Sequence, residues 1–217
     1  MFIFPQKAFL GRPLPKSKIY QFASPTPAVK QLFVSQIDNI VWQYKLAPET
    51  INLPATESVT EIQIFDISLK GSECDLSVLR CIDAAIPFNI FFRLINGDSV
   101  RFTTAFKRQS ESSNEKLVIE RYFSSDWLHV DSPCEPLPIA LNLQSLYEQM
   151  LQSLLPSSQR PTESLNDQVS RLGELQKKQT ELQKLESRLQ KEKQFNRKVE
   201  LNAQIRILKI AISQLEN

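Results

Sequence analysis

Hydrophobic positions change their spacing within the segment Phe33–Lys70. The apolar residues of its first half fall on one stripe of a helix: Phe33, Ile37, Ile40, Val41 and Tyr44. From Glu61 to Leu69, apolar side chains lie on both faces of an extended segment, which is typical of a strand at the centre of a sheet. The pattern predicts a helix from Pro27 to Pro48, a turn and a central strand.

The next segment predicts an antiparallel hairpin and a third strand. Asn96-Gly97 is a two-residue turn signal that separates the apolar strand Phe88–Ile95 from its partner Val100–Lys107. After a polar loop at Gln109–Glu115, the alternation of Leu117–Phe123 predicts another strand. These three strands form a meander.

Two further segments complete this part of the chain. Residues 1–31 contain five prolines, which prevent a regular helix through most of the segment, so we predict an arm packed over the domain. Between the central strand and the hairpin, Ser72 or Asp75 can cap a short helix that ends at Pro87.

From Ser164 onward the chain contains no proline, and its apolar residues recur at steps of three and four. The predicted seam of this coiled coil consists of Leu165, Val169, Leu172, Leu182, Leu185, Leu189, Val199, Leu208, Ile212 and Leu215. Asn202, beside the seam, would set the register. Two geometries are open: a continuous helix that pairs with a second copy or another protein, and an antiparallel hairpin that turns near Gln194–Arg197. The lack of Gly and Pro at that turn favours the continuous helix.

These elements predict an α+β fold class, with an N-terminal mixed-sheet domain and flanking helices followed by a long C-terminal α-helical coiled-coil segment. The predicted domains are residues 1–130 for the core with its proline-rich arm, 131–161 for a linker with a short helix, and 162–217 for the coiled coil.

Composition indicates a globular chain and argues against several classes of protein. Of the 217 residues 41% are hydrophobic and 23% are charged, and no apolar run reaches the length of a membrane span. The short apolar N-terminus precedes basic residues, the reverse of a secretory signal, so we expect a cytoplasmic protein with no membrane partner. Three cysteines without a CxxC pair and a single histidine argue against a disulfide framework and a zinc site.

The net charge of +2 is distributed unevenly. Residues 160–217 contain twelve Lys/Arg and eight Asp/Glu, a surplus of four, which leaves residues 1–159 at −2. A solvated helix face commonly has this composition; DNA or other nucleic-acid binding by the basic tail is the alternative.

Motifs of known catalytic chemistry are missing from the sequence. The four glycines are scattered singly, which excludes a phosphate-binding loop, and His129 has no serine elbow or HExxH partner. A metal-dependent nuclease would need an Asp followed by an Asp/Glu-x-Lys pair, whereas the central strand offers Glu61-Ile-Gln63. We therefore expect no cofactor and no metal site, and we favour a protein without catalytic activity.

Two sets of polar residues remain candidates for binding nucleic acid or a partner. Lys45, Glu49, Thr50 and Asn52 form a polar cluster at one end of the sheet; alternatively, they only tie down the end of a helix and the following turn. The second set offers cations and aromatic rings to a phosphate backbone or to an acidic partner. It comprises Lys16, Lys18, Lys107 and Arg108 with Tyr20, Trp42 and Trp127.

Several segments of the sequence resemble one known family along almost the whole chain. They are Pro15–Lys18, the helix into Lys45–Asn52, Glu61–Phe65, Ile86-Pro87, Phe106–Arg108, Asp126–Leu128 and Glu192–Asn202. The chain is similar in these segments to the bacterial domain-of-unknown-function 4391 family. No motif of that family is tied to a known reaction; its recurrent polar positions correspond to Lys45, Glu49, Thr50, Asn52, Lys107 and Asn202.

The resemblance implies a genomic context, because such proteins look like companions of helicases and DNA methyltransferases in restriction-type or other antiphage gene clusters. We therefore expect an accessory or adaptor protein that binds a helicase or DNA methyltransferase and that docks or forms a homodimer through its C-terminal coiled coil. The alternative is a nucleic-acid-binding or nuclease-like enzyme that uses the cluster around Lys45 and Glu49.

Overall fold

The computed structural model describes residues 2–110, 113–156 and 159–216, with the side chains of 108–110 and 113–117 left out. The chain divides into two compact units, Met1–Leu155 and Pro156–Asn217. Two predicted loops fall partly outside the described residues: Gln109–Glu115 includes residues 111–112, and the linker after Leu155 includes residues 157–158.

The first unit combines a mixed sheet with five helices among its described residues. Its strands are β1 (Phe2–Ile3), β2 (Phe9–Pro13), β3 (Ile37–Leu46), β4 (Ile62–Leu69), β5 (Asn89–Asn96), β6 (Ser99–Ser110), β7 (Ser113–Ser124), β8 (Leu128–His129) and β9 (Glu135–Pro136). Its helices are α1 (Lys16–Ala23), α2 (Pro27–Gln36), α3 (Pro48–Ile51), α4 (Leu76–Ala85) and α5 (Leu143–Gln152).

The main sheet has the strand order β2-β3-β4-β5-β6-β7, and β8 pairs with β6 beyond the end of β7. β4 and β5 are parallel and are joined through α4, whereas the other neighbours in this order are antiparallel. A parallel pair needs a crossover connection, which α4 provides. The mixed α+β character predicted from the sequence is confirmed.

Local signals at two turns are also confirmed. Asp75 caps α4, since its side chain accepts a hydrogen bond from the amide of Ser77. β5 and β6 form the predicted hairpin, but Asn96 pairs with Ser99, so the turn is one residue later than expected. Gly97 has φ +55° at the first central position, where a tight hairpin turn requires the left-handed region that glycine adopts without strain.

The predicted helix from Pro27 to Pro48 is wrong beyond Gln36. The helix α2 ends at Gln36, and β3 continues directly from Ile37 as the second strand of the sheet. Lys16 stabilises this transition, because its ammonium donates hydrogen bonds to the carbonyl oxygens of Phe33 and Ile37 at 2.9 and 2.6 Å. β-branched and aromatic residues dominate β3, and these side chains favour a strand over a helix.

The N-terminal segment is more regular than its prolines predicted. Instead of an arm packed over the domain, β2 forms the edge strand of the sheet, and Pro15 precedes a regular helix, α1, in a position that proline tolerates. The register shifts between Phe9 and Arg12. Gly11 lies in this irregularity with φ +58°, and a Cβ there would lie 2.6 Å from the ring of Phe9.

Helices cover both faces of the sheet. One face packs against α1, α2 and α4, and the buried residues of this core include Ile19, Phe33, Phe65, Leu79 and Phe92. The helix α5, which the sequence placed in a linker, packs against the opposite face, where its Tyr147 hydroxyl lies 2.8 Å from the Thr104 hydroxyl and donates to the Ala105 carbonyl at 2.5 Å. Burial raises the pKa of Tyr147, so this group stays a protonated donor.

The described residues of the second unit form two helices, α6 (Leu165–Lys191) and α7 (Phe195–Glu216). The predicted C-terminal helical segment is therefore present, but the continuous helix is wrong. Glu192 has an extended backbone, and its carboxylate accepts hydrogen bonds from the amides of Lys193 and Gln194 at 2.8 and 2.9 Å. The Glu192 side chain thus binds two backbone amides that the turn would otherwise expose to water, and the turn forms without glycine or proline. After the turn, α7 packs against α6.

Among the described residues, none of the helices combines the length and the apolar composition that crossing a membrane requires.

Candidate functional site

The polar cluster predicted around Lys45 lies at the C-terminal end of β3. The Lys45 ammonium is 2.8 Å from a carboxylate oxygen of Glu49 and 2.8 Å from one of Glu61. Gln63 donates a hydrogen bond to the second oxygen of Glu61 at 2.6 Å. The hydrogen bonds with Glu49 and Glu61 raise the pKa of Lys45, and Lys45 lowers the pKa of Glu49.

The register of the sheet explains this convergence. Lys45 is the partner of Gln63 across the β3–β4 ladder, so strand pairing brings Glu61 and Gln63 beside it. Glu49 is four residues after Lys45, in the single turn of α3. Sequence reasoning named Lys45 and Glu49 but missed the contribution of Glu61 and Gln63, because that contribution depends on which strand pairs with β3.

Thr50 and Asn52 serve the backbone of the same turn. The Thr50 hydroxyl donates to the Lys45 carbonyl at 2.7 Å and accepts from the Ala47 amide at 2.9 Å. Asn52 ends α3 with φ +56°, a conformation that asparagine tolerates better than most residues. Of the four predicted residues, Lys45 and Glu49 thus form the charged part, whereas Thr50 and Asn52 fix the chain that carries them.

A second cluster, at the same end of the sheet, is buried. The Lys107 ammonium lies 2.7 Å from a carboxylate oxygen of Asp83, and both side chains are almost inaccessible, at 5% and 0% exposure. The Tyr122 hydroxyl donates a short hydrogen bond to the other oxygen of Asp83, and Lys107 also donates to the Phe88 carbonyl at 2.7 Å. Lys107 was predicted to face a phosphate backbone or an acidic partner; it instead neutralises a carboxylate of α4 inside the fold.

Burial dominates the electrostatics of this cluster. It raises the pKa of Asp83, although Lys107 and Tyr122 oppose the shift, and it raises the pKa of Tyr122, whose proton is further retained by the nearby carboxylate. Asp83 was missed in the sequence although it left a signal there: it lies four residues after Leu79 on the otherwise apolar stripe of α4.

Lys16, Trp42 and Trp127, which were also predicted to bind a partner, each contact another part of the first unit. Lys16 caps α2, and burial lowers its pKa. Trp42 stacks on Phe65, and the guanidinium of Arg101 lies 4.6 Å from the ring centre of Trp127. The side chain of Arg108 lies outside the described residues.

Lys18 is exposed at the edge of an open groove between α1 and the end of α4. The groove has a volume of about 390 Å³ and is lined by Leu14, Pro15, Lys18, Ile19, Phe22, Ala85 and Ile86. Its lining is almost entirely apolar.

The predicted seam residues occupy three different environments in the second unit. Leu182, Leu185, Leu189, Leu208 and Ile212 lie in the apolar cluster between α6 and α7, together with Leu175, Leu201 and Ile205. Val169 and Leu172 are buried, and Leu165 and Leu215 are half-buried. Val199 and Asn202 are exposed, and Asn202 donates to the Lys198 carbonyl of its own helix at 2.8 Å, so it sets no register between α6 and α7.

The helix α7 has apolar residues on two opposite faces. One face, with Leu201, Ile205, Leu208 and Ile212, packs against α6. The other face, which we call the outer stripe, consists of Val199, Ala203, Ile207 and Ile210 at steps of four, four and three residues. Its large side chains are exposed: Val199 by 52%, Ile207 by 69% and Ile210 by 54%.

The end of the hairpin opposite its turn is fixed by two arginines. Arg160 and Arg171 each donate to the Leu215 carbonyl at 3.0 Å, where the last carbonyl groups of α7 lack partners within the helix. Glu163 binds Arg171 through both carboxylate oxygens, at 2.7 and 2.9 Å. This pair lowers the pKa of Glu163 to about 2.

Fold and site together define a protein with a mixed-sheet unit, in which two clusters at one end of the sheet pair their charges, and a helical hairpin with an exposed apolar stripe. The family model for a domain of unknown function, DUF4391, matches residues 2–212. The chain belongs to this family, as its sequence segments predicted. No curated protein and no solved structure matches the chain.

Proposed function

We propose that this chain is a non-catalytic adaptor of a bacterial restriction-type or antiphage defence system, acting in the cytoplasm, whose helical hairpin docks a helicase or DNA methyltransferase. The observation that carries the proposal is the outer stripe of α7. Exposed apolar residues that follow one another along a helix mark interaction sites more often than scattered ones do.

The charges beside the outer stripe define the surface of the partner. Arg206 lies within the stripe, three residues after Ala203 and four before Ile210, and Glu200 lies at one edge of it. The partner that fits is an amphipathic helix or groove whose apolar strip includes a carboxylate that can meet Arg206. Burying three side chains of this size supplies about 1.5–3 kcal/mol each when burial is complete, and less here because each is already partly covered.

The sheet unit supports an adaptor rather than an enzyme, because the charged groups of its two clusters, around Lys45 and around Asp83, are already engaged. Lys45 is bonded to two carboxylates, and Lys107 is bonded to a carboxylate and a carbonyl. A general base or a nucleophile needs a group that is available to the substrate. Here the same groups hold the end of the sheet together.

The test uses a helicase and a DNA methyltransferase, which the proposal expects beside this gene, each purified and mixed with the full-length chain. We expect one of them to form a complex of defined mass by light scattering, and we expect Ile207→Glu to abolish it. Ile207 is mostly exposed, so this variant should retain the circular dichroism of the wild type. Gln204→Glu is the matched control, because it adds the same side chain to an exposed position of the same helix.

Three outcomes would overturn the proposal. In the first, neither neighbouring protein binds. In the second, Gln204→Glu disrupts the complex as strongly as Ile207→Glu. In the third, the isolated chain is already a dimer that Ile207→Glu converts to a monomer, which would assign the outer stripe to a second copy of the chain.

A second candidate function, a nuclease-like enzyme, is supported by one observation at the Lys45 cluster. Gln63 is only 2% exposed, and its side-chain oxygen has no hydrogen-bond partner among the described residues although it lies beside Glu61 and Lys45. If this group serves a substrate, Lys45→Ala and Glu49→Ala should abolish cleavage of labelled DNA and leave partner assembly intact. Under the adaptor proposal, truncation before Ser164 is the damaging change instead.

A further inference from the structure

The basic surplus of the second unit is concentrated at the tip of its hairpin. Between Arg188 and Lys198 there are five cations, namely Arg188, Lys191, Lys193, Arg197 and Lys198, and one anion, Glu192, which gives a net charge of +4. Residues 160–217 as a whole carry twelve cations and eight anions. The rest of the hairpin therefore has seven of each sign, and its charge is balanced.

The fold places these five cations at one end of the hairpin. Arg188 and Lys191 belong to the last turn of α6, Lys193 to the connection, and Arg197 and Lys198 to the first turn of α7. All five are exposed. Because the chain reverses here, cations from two helices share one small surface, where their potentials add.

The single carboxylate of the tip, that of Glu192, shows that this surface stabilises negative charge. Glu192 accepts hydrogen bonds from two backbone amides, and these bonds lower the pKa of its carboxyl group. The guanidinium of Arg197 lies 4.0 Å away. The start of α7 thus already stabilises one carboxylate. This carboxylate offsets one of the five positive charges of the tip, and four remain.

An aromatic ring stands among these cations. Phe195 is 77% exposed, and it is not among the residues of the apolar cluster between α6 and α7. An exposed phenyl ring among cations provides a stacking surface for a base, while the cations neutralise phosphates. The faces of duplex bases are covered by their neighbours, so this combination favours an unpaired strand.

We infer that the hairpin tip, residues 188–198, binds single-stranded nucleic acid, with Phe195 stacking on a base and the surrounding lysines and arginines contacting phosphates. This inference is independent of the proposed adaptor function, because the tip and the outer stripe around Ile207 are different surfaces of the hairpin.

The experiment measures fluorescence anisotropy of a labelled oligothymidine with the full-length chain at several salt concentrations. Phe195→Ala should weaken binding about 5-fold or more, the alanine effect of losing one stacked base. Arg197→Ala combined with Lys198→Ala should reduce the slope of log affinity against log salt by about 1.4, since each lost phosphate contact on a single strand contributes about 0.7.

The matched control is Lys177→Ala combined with Lys178→Ala, which removes the same charge from the balanced part of α6. We expect this variant to keep the affinity and the salt slope of the wild type. Equal loss of binding in the control and the tip variant would overturn the inference, as would undiminished binding by Phe195→Ala. Preference for a duplex of the same length, or equal competition by polyglutamate, would assign the tip to another ligand and would also overturn it. The Phe195→Ala variant should still form the complex that Ile207→Glu abolishes, which separates the two proposals.

Discussion

Replacing Lys107 by methionine tests whether the buried cluster is a structural ion pair. Methionine keeps most of the length and volume of the lysine stem but removes the charge. The Asp83 carboxylate, which has no exposed surface, then keeps only its hydrogen bond from Tyr122. We expect a large loss of stability in Lys107→Met, because an uncompensated charge remains inside the first unit.

The burial of both partners sets the expected magnitude. Breaking a buried pair by removing one partner typically costs about 3–5 kcal/mol. The pair between Lys209 and Glu186 spans 3.0 Å but is exposed, so Lys209→Met should cost only about 0.2–1 kcal/mol. Combining Lys107→Met with Asp83→Asn removes both charges, and the double variant should regain about 2 kcal/mol or more relative to Lys107→Met alone.

Lowering the pH should relieve the defect of Lys107→Met. Burial already raises the pKa of Asp83 in the wild type, and loss of the ammonium raises it further. A carboxyl group whose pKa is higher in the folded state than in the unfolded state binds its proton more tightly when folded, so stability increases as the pH falls toward the unfolded value. The difference between variant and wild type should therefore be larger at pH 7 than at pH 5.

Urea denaturation followed by tryptophan fluorescence measures this stability. Both tryptophans of the chain, Trp42 and Trp127, lie in the first unit, so the signal reports on that unit and not on the hairpin. The reasoning would be refuted by additive effects of Lys107→Met and Asp83→Asn. It would also be refuted if Lys107→Met cost no more than Lys209→Met, whose effect on the second unit is followed by circular dichroism instead, or if the defect of Lys107→Met grew as the pH was lowered.

Three further predictions concern individual contacts. Arg171 lowers the pKa of Glu163 from 4.5 to about 2, so Glu163 stabilises the hairpin fully above its unfolded pKa and loses this contribution as the pH falls to about 2. Glu163→Gln should abolish this acid-dependent loss of stability, which circular dichroism measures as a function of pH. Leu208→Ala should destabilise the hairpin by about 2–5 kcal/mol in urea denaturation, whereas Ile207→Ala should change its stability by about 0.5 kcal/mol or less, because only Leu208 is buried between the helices. Thr50→Val should lower the stability of the first unit by about 1 kcal/mol, because the hydroxyl that bonds to the backbone of Lys45 and Ala47 is lost. Equal stability of variant and wild type, measured by tryptophan fluorescence, would contradict this prediction.

Features fixed by neighbouring residues could be predicted from the sequence. The cap of α4 depends on the Asp75 side chain and the amides that follow it, and the β5–β6 turn depends on the positive φ of Gly97. Both signals extend over a few residues and need no knowledge of distant segments. The mixed sheet could be predicted from the same two signals, because one marks the crossover helix α4 and the other marks the hairpin β5–β6.

The end of α2 could not be predicted in this way. The spacing of Phe33, Ile37, Ile40 and Tyr44 satisfies a helical stripe, but the residues from Ile37 onward also suit a strand whose two faces are both covered. The choice is made by tertiary contacts. Lys16 caps the last turn of α2 from a different helix, and β2 and β4 supply the strands on either side of β3.

The charged clusters depended still more on long-range pairing. Lys45 and Glu49 are close in sequence, and their proximity was predictable from spacing alone. Glu61 joins them only through the β3–β4 register. Lys107 meets Asp83 because β6 passes beside the end of α4, and no pattern within either segment contains that information.

Because the C-terminal segment is a hairpin, a partner has less apolar surface to cover than it would have on a continuous helix. In a continuous helix, the whole seam would need covering by another chain, whereas in the hairpin α6 already covers Leu201, Ile205, Leu208 and Ile212. What remains is the narrower outer stripe, with Arg206 within it, and a tip whose charge repels further cations. A second copy of the chain approaching the tip would bring like charges together, whereas a strand of phosphates would neutralise them. The charge of the tip therefore argues against self-association there, whereas at the outer stripe the mass of the isolated chain and of its Ile207→Glu variant decides between a partner protein and a second copy.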